Sequence, residues 1–178
     1  YAPDILQMIR QVNESMLRSY VQNIQDFGPH PTGSKACGEV SKYLYDTLSS
    51  FQLSVRYDLW KEKHHVGTNI EATLPGRNNN SGIVLISAHY DTVSISPGAN
   101  DDGSGVAAVL AVAKIMSQYN FNSTTRFVLF SGEEQGLLGS HRYVQNASRH
   151  DQNIIADLTL DGVGYAVTSD DGSKIKHH

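Results

Sequence analysis

Cysteine is nearly missing from this chain of 178 residues: Cys37 stands alone. No intrachain disulfide and no thiolate zinc cluster can therefore form, and cysteine pairing says nothing about the compartment. A single thiol of this kind is expected as a small buried helix residue. Long hydrophobic runs are missing too, since no apolar stretch approaches the roughly twenty residues needed to cross a bilayer. The chain begins Tyr1-Ala2-Pro3-Asp4 without Met or an apolar signal core, so a processed or trimmed start is expected. Charge of one sign is scarce: 14 Lys and Arg face 18 Asp and Glu, a net charge of −4, and the charges are scattered rather than blocked. That excludes the electrostatic footprint of a nucleic-acid or anionic-membrane binder. Repeats and low-complexity segments are absent as well. What remains is the expectation of one domain over residues 1–178, large enough to bury roughly two thirds of the surface its unfolded form exposes.

Apolar periodicity supplies the elements. Ile5, Met8, Ile9, Val12, Met16, Tyr20 and Ile24 recur at helical spacing and predict one amphipathic N-terminal helix. Ser34 can cap a second, carrying Val40, Tyr43, Leu44, Leu48 and Phe51 on one face. Leu53, Val55, Tyr57 and Leu59, then Ile70, Ala72 and Leu74, alternate as half-buried strands near a sheet edge do. Residues 75–82, with three consecutive Asn, read as a turn. Runs at 83–87, 127–130 and 154–160 read as buried strands, separated by helices from Val106 to Met116 and from Leu137 to Val144. Strand, helix, strand, helix, strand predicts an α/β fold: a mostly parallel central sheet with helices on both faces.

The chemistry sits where those strands end. His89-Tyr90-Asp91-Thr92, Asn100-Asp101-Asp102-Gly103, Ser131-Gly132-Glu133-Glu134 and Leu160-Asp161-Gly162 are separated clusters of metal-loving side chains. In an open parallel sheet they would converge on one crevice outside the carboxyl ends of the strands. One His with several carboxylates suits Zn²⁺, and also Mn²⁺ or Co²⁺. A neutral imidazole bound to metal wants an acceptor for its other N–H, and Asp91 lies two residues beyond His89. Asp101 falls in a Gly-rich turn leading into a helix, where it could bind metal or simply cap the helix. Glu133 and Glu134 cannot both point the same way, so one can bind metal while its neighbour reaches a water. The Asp-Asp-Gly-Ser-Gly turn lacks the Lys of a phosphate loop, and no Gly-x-Ser-x-Gly elbow surrounds Ser131, which disfavours nucleotide binding and serine hydrolysis. His64, His65, His141 and His150 are expected at the surface, and Trp60 in the core or at its rim.

Taken together, the segments 87–93, 97–105 and 130–140 resemble the di-zinc aminopeptidases of the bacterial leucyl and aminopeptidase S/Y type. Leu160-Asp161-Gly162-Val163-Gly164-Tyr165 resembles that family's next metal segment, and Gly28-Pro29-His30-Pro31-Thr32-Gly33-Ser34 its N-terminal loop. The resemblance implies a zinc-exopeptidase, phosphorylase/hydrolase-like fold and two Zn²⁺ ions. It makes His89 and Asp161 terminal ligands on one zinc, Glu134 a ligand on the other, and Asp101 the bridge. Glu133 becomes the general base and Asp91 the partner of His89. It also implies a cis peptide between Asp101 and Asp102. The likeness departs at its end: the family carries a second ligand histidine many tens of residues beyond the position of Asp161, and this chain stops at His178. Either a C-terminal part of the family's domain is lacking, or another His substitutes, or one ion is held firmly and the other loosely. The tail pair His177 and His178 is not counted as ligands.

The function implied is removal of N-terminal residues from peptides by zinc-activated water, with a peptide bearing a free N-terminus as partner. Two alternatives stand beside it: a glutaminyl-cyclase-like acyl transfer on a single zinc, and a non-catalytic binding domain with a vestigial metal site. Four N-x-Ser/Thr sequons, starting at Asn13, Asn79, Asn122 and Asn146, exceed the one or two expected by chance and favour an exported or extracellular protein.

Overall fold

The computed structural model describes residues 3–78 and 81–165, so the Asn79 sequon and the tail histidines lie outside the described residues. In place of one N-terminal helix there are two, α1 (Pro3–Gln11) and α2 (Glu14–Gln25). The break has a local cause: Asn13 is extended, at φ −139° and ψ 150°, and its side chain accepts the Met16 N–H at 2.9 Å, starting a new helix. Ile24 of α2 is fully buried while Ile5 and Ile9 of α1 stay exposed, so the apolar stripe is used unequally. Ser34 caps α3 (Lys35–Ser50) as expected, accepting from the Cys37 amide at 3.1 Å.

A hairpin of β1 (Ser54–Glu62) and β2 (His65–Leu74) leads to β3 (Ile83–His89), α4 (Gly103–Met116), β4 (Thr124–Phe130), α5 (Leu138–Arg149) and β5 (Ile154–Thr159). The strands form one sheet in the order β1-β2-β4-β3-β5, with β3 parallel to both β4 and β5 and the hairpin antiparallel. Helices α2, α3 and α4 enclose the main core on one face. There Val40, Leu44 and Leu48 meet Val106, Val109 and Leu110 over Ile70, Phe127 and Leu129. Truncating a side chain such as Leu110 to Ala should cost about 2–5 kcal/mol. On the other face α5 sends Tyr143 against Leu85, Val128 and Phe130.

Two strands differ from their sequence pattern. The alternation in β2 suggests a half-buried edge, yet β2 lies inside the sheet and Asn69 and Glu71 are buried along with Ile70 and Ala72. Polarity alternates without exposure because Glu71 is paired: Arg56 reaches it with Nε at 3.0 Å and Nη2 at 2.8 Å, and the Tyr143 hydroxyl donates to it at 2.7 Å. The β5 run, expected to be buried, is mostly exposed, with Ile155 and Leu158 each 54% accessible, since among the described strands it pairs only with β3.

The crossover through α4 carries the chain from β3 to one neighbour, and the crossover through α5 returns it to the strand on the other side of β3. Connections leaving in opposite directions open a crevice at the carboxyl end of β3. The register pairs His89 with Phe130 and Ser87 with Thr159, so the residues after β3, β4 and β5 arrive at one level.

Candidate metal centre

His89 is the last residue of β3 and only 5% exposed. Its Nε2 atom faces three carboxylates from three other segments: Asp101 at 3.0 Å, Glu133 at 4.0 Å and Asp161 at 4.0 Å. The side chains of Asp101 and Asp161 are 66% and 58% exposed, so the group is floored by a buried imidazole and walled by accessible acids. On the far side of the ring, Nδ1 lies 3.0 Å from the Asp91 main-chain oxygen and 3.7 Å from its carboxylate. Only the carbonyl is within hydrogen-bond reach. The fully buried Asp91 carboxylate instead accepts from the amides of Glu133 at 3.1 Å and Glu134 at 3.4 Å.

Asp101 reaches His89 from the turn before α4, and the peptide between Asp101 and Asp102 is cis. The helix cap belongs to Asp102, not Asp101: its Oδ1 accepts from Gly105 at 2.9 Å and from Gly162 at 3.2 Å, while Oδ2 accepts from the His89 amide at 3.2 Å. One buried carboxylate thus ties β3, the start of α4 and the loop after β5 together. The ligand-capable atoms of His89, Asp102 and Asp161 also lie within 4.8 Å of one another. With three amide donors already on its oxygens, Asp102 is better suited to holding the loops than to binding an ion. Nothing in the sequence separates the two adjacent acids except that one of them must cap the helix.

The electrostatics favour positive charge. Burial of the His89 imidazole opposes protonation, but Asp91, Asp102 and Glu133 outweigh it and raise its pKa from 6.5 to about 10. Burial pushes the Glu133 carboxyl upward, His89 opposing and Asp91, Asp161 and Asp101 adding repulsion. Burial also raises Glu134, with Asp101 the next contributor, which places Glu134 in the field of the same cluster. Burial lifts Asp102 to about 7 against the pull of His89 and of the Gly162 and Gly105 amides. Among the described residues no Lys or Arg is ion-paired to any of these acids. An imidazole and several carboxylates within about one ion's coordination span is a donor set that fits a divalent transition metal.

His89, Asp101, Glu133 and Asp161 are therefore brought together, and Asp91 and Glu134 adjoin them. Ser131 is fully buried and accepts from the Trp60 indole and the Thr68 amide, while Ser104 donates to the Asn100 carbonyl. Neither is placed as a nucleophile. His64, His65, His141 and His150 are exposed. Cys37 is buried, which pushes its thiol up to about 11. Asp102 and Thr32 lie within the motifs but without an assigned role, and Asn69 lies outside them; their bonds to Gly162, Gly132 and Ser131 cross 60, 100 and 62 positions.

The fold is similar to that of a Zn-dependent exopeptidase from Parabacteroides distasonis, with a TM-score of 0.71 and 25% identity, covering 85% of this chain and 62% of that one. Residues 69–172 match peptidase family M28, and the chain belongs to that family. It is 38% identical over 105 residues to a probable leucine aminopeptidase 2 of Aspergillus oryzae, an alignment covering 57% of this chain and 21% of that protein. Among solved structures, the Porphyromonas gingivalis glutaminyl cyclase matches with a TM-score of 0.77 and 28% identity, covering 86% of this chain and 60% of that one. LapB from Legionella pneumophila matches with a TM-score of 0.85 at 21% identity, covering 96% and 49%, a likeness of fold alone. The chain thus spans less than two thirds of each of these relatives.

Proposed function

We propose that this chain carries the catalytic metal site of an aminopeptidase, which removes N-terminal residues from peptides with zinc as its resident metal. The observation that carries this reading is the meeting of Asp101, Glu133 and Asp161 within 3.0–4.0 Å of one His89 ring nitrogen. His89 and Asp161 would hold one ion, Glu134 a second, and Asp101 would bridge them. When bound, zinc supplies Lewis acidity toward the scissile carbonyl and makes a nearby water easier to deprotonate. Glu133 takes that proton and returns it to the leaving amine, a role suited to a partly buried carboxyl whose basicity burial has raised. His89 is held in orientation by the Asp91 carbonyl behind it. The substrate would be a peptide with a free N-terminus.

Glu133→Gln tests the reading. It should retain zinc and lose turnover of an aminoacyl anilide by about 10²–10⁴-fold. Turnover close to that of the unaltered chain would refute the base assignment.

The 28% identity to a glutaminyl cyclase favours a second reading, acyl transfer on a single zinc. Ammonia release from an N-terminal glutaminyl peptide, without cleavage, would select it. We also propose that the protein is exported. Exposed Asn13, Asn122 and Asn146 in three of its sequons support this, and native protein of unchanged mobility after endoglycosidase treatment would count against it.

A further inference from the structure

The turn that carries Glu133 and Glu134 is held by side chains from elsewhere in the chain at four successive backbone amides. The Ser131 amide donates to Asn69 Oδ1 at 3.2 Å, the Gly132 amide to Thr32 Oγ1 at 2.8 Å, and the Glu133 and Glu134 amides to the Asp91 carboxylate at 3.1 and 3.4 Å. Those acceptors come from β2, from the loop before α3 and from the segment just after β3. A turn whose N–H groups were satisfied by solvent would leave the glutamates free to shift. Here protein side chains take all four.

The surroundings remove the remaining slack. Gly132 adopts φ +78°, and a Cβ there would meet the Trp60 ring at 2.6 Å. Trp60 in turn donates to Ser131 Oγ at 3.0 Å, and Asn69 Nδ2 fastens the turn to α5 by donating to the Gly139 carbonyl at 3.1 Å. Of the four amide bonds, the one from Gly132 lies immediately before Glu133. It is also the one whose acceptor can be deleted with least disturbance, because Thr32 is only partly buried, whereas Asn69 and Asp91 are fully buried.

We propose that Thr32, in the loop before α3, is a positioning residue for Glu133: its hydroxyl oxygen fixes the Gly132 amide and so sets the direction in which the next residue presents its carboxylate. The inference deepens the aminopeptidase reading and rests on it for the catalytic consequence. A displaced base lowers the rate of the chemical step and leaves substrate affinity alone, because Thr32 acts on the Gly132 backbone rather than on the side chains of the acidic cluster.

The test compares Thr32→Val, which keeps the shape and removes the acceptor, with Thr32→Ser, which keeps the acceptor, alongside the Glu133→Gln control. In Thr32→Val, hydrogen exchange at the Gly132 amide should rise at least about tenfold while β3 and β4 amides keep their protection. In the zinc-loaded chain kcat should fall roughly tenfold to a hundredfold with KM unchanged, and Thr32→Ser should restore both readings. Unchanged Gly132 exchange in Thr32→Val, or failure of Thr32→Ser to restore it, overturns the assignment. The exchange measurement needs no turnover, so it decides the role of Thr32 even if Glu133→Gln stays active and the aminopeptidase reading fails.

Discussion

Replacing Asp102 would strip the acceptor from three amides at once, those of His89, Gly105 and Gly162. Each such hydrogen bond contributes a net of about 0.5–1.5 kcal/mol. Asp102→Ala should therefore destabilise the fold by roughly 2–4 kcal/mol, read as a lower urea midpoint at unchanged slope. An unchanged midpoint would contradict the anchoring role. Residues of this kind are the least legible in the sequence. His89, Asp101, Glu133, Glu134 and Asp161 stand out because strand ends deliver them and their side chains have few other uses. Asp102, Thr32 and Asn69 act through bonds to backbone atoms that are 100 positions away for Thr32 and 60 for the Asp102–Gly162 pair, and no periodicity encodes such contacts.

Elements were legible where one apolar period dominated. The all-round apolar character of α4 matches a helix buried along most of its length, and the continuous run of β3 matches a strand flanked on both sides. Reading failed where polar side chains outweighed the pattern. Asn13 ended a helix that its apolar spacing would continue, and Asn13→Ala should cost about 1 kcal/mol, measured by thermal or urea unfolding. In β2 the buried Glu71 mimicked an exposed alternation. Burial raises the pKa of that carboxyl, but Arg56, Tyr143 and Arg126 outweigh it, leaving a net lowering below the ordinary 4.5. With the folded value depressed, the stabilisation is complete above the unfolded value and is lost as pH falls through the folded one. Acid should therefore erode stability below about pH 4.5, and Glu71→Gln should flatten that part of the curve. An identical pH dependence in the variant would show that Glu71 contributes nothing to acid sensitivity.

For the whole molecule, the sheet does the assembling. Parallel β3, β4 and β5 end at one level, the chain reverses direction around β3, and every proposed ligand follows from that reversal. The mostly parallel core with helices on both faces was readable from the order of runs, whereas the exposure of β5 was not, because a run's apolarity does not say what covers it. If His89, Asp101, Glu134 and Asp161 form one zinc-binding centre, anomalous diffraction at the zinc edge from zinc-equilibrated crystals should show a peak at roughly 2.0–2.1 Å from His89 Nε2 with Asp101 and Asp161 oxygens around it. Zinc found only at surface histidines such as His64 and His65, with none at His89, would contradict it.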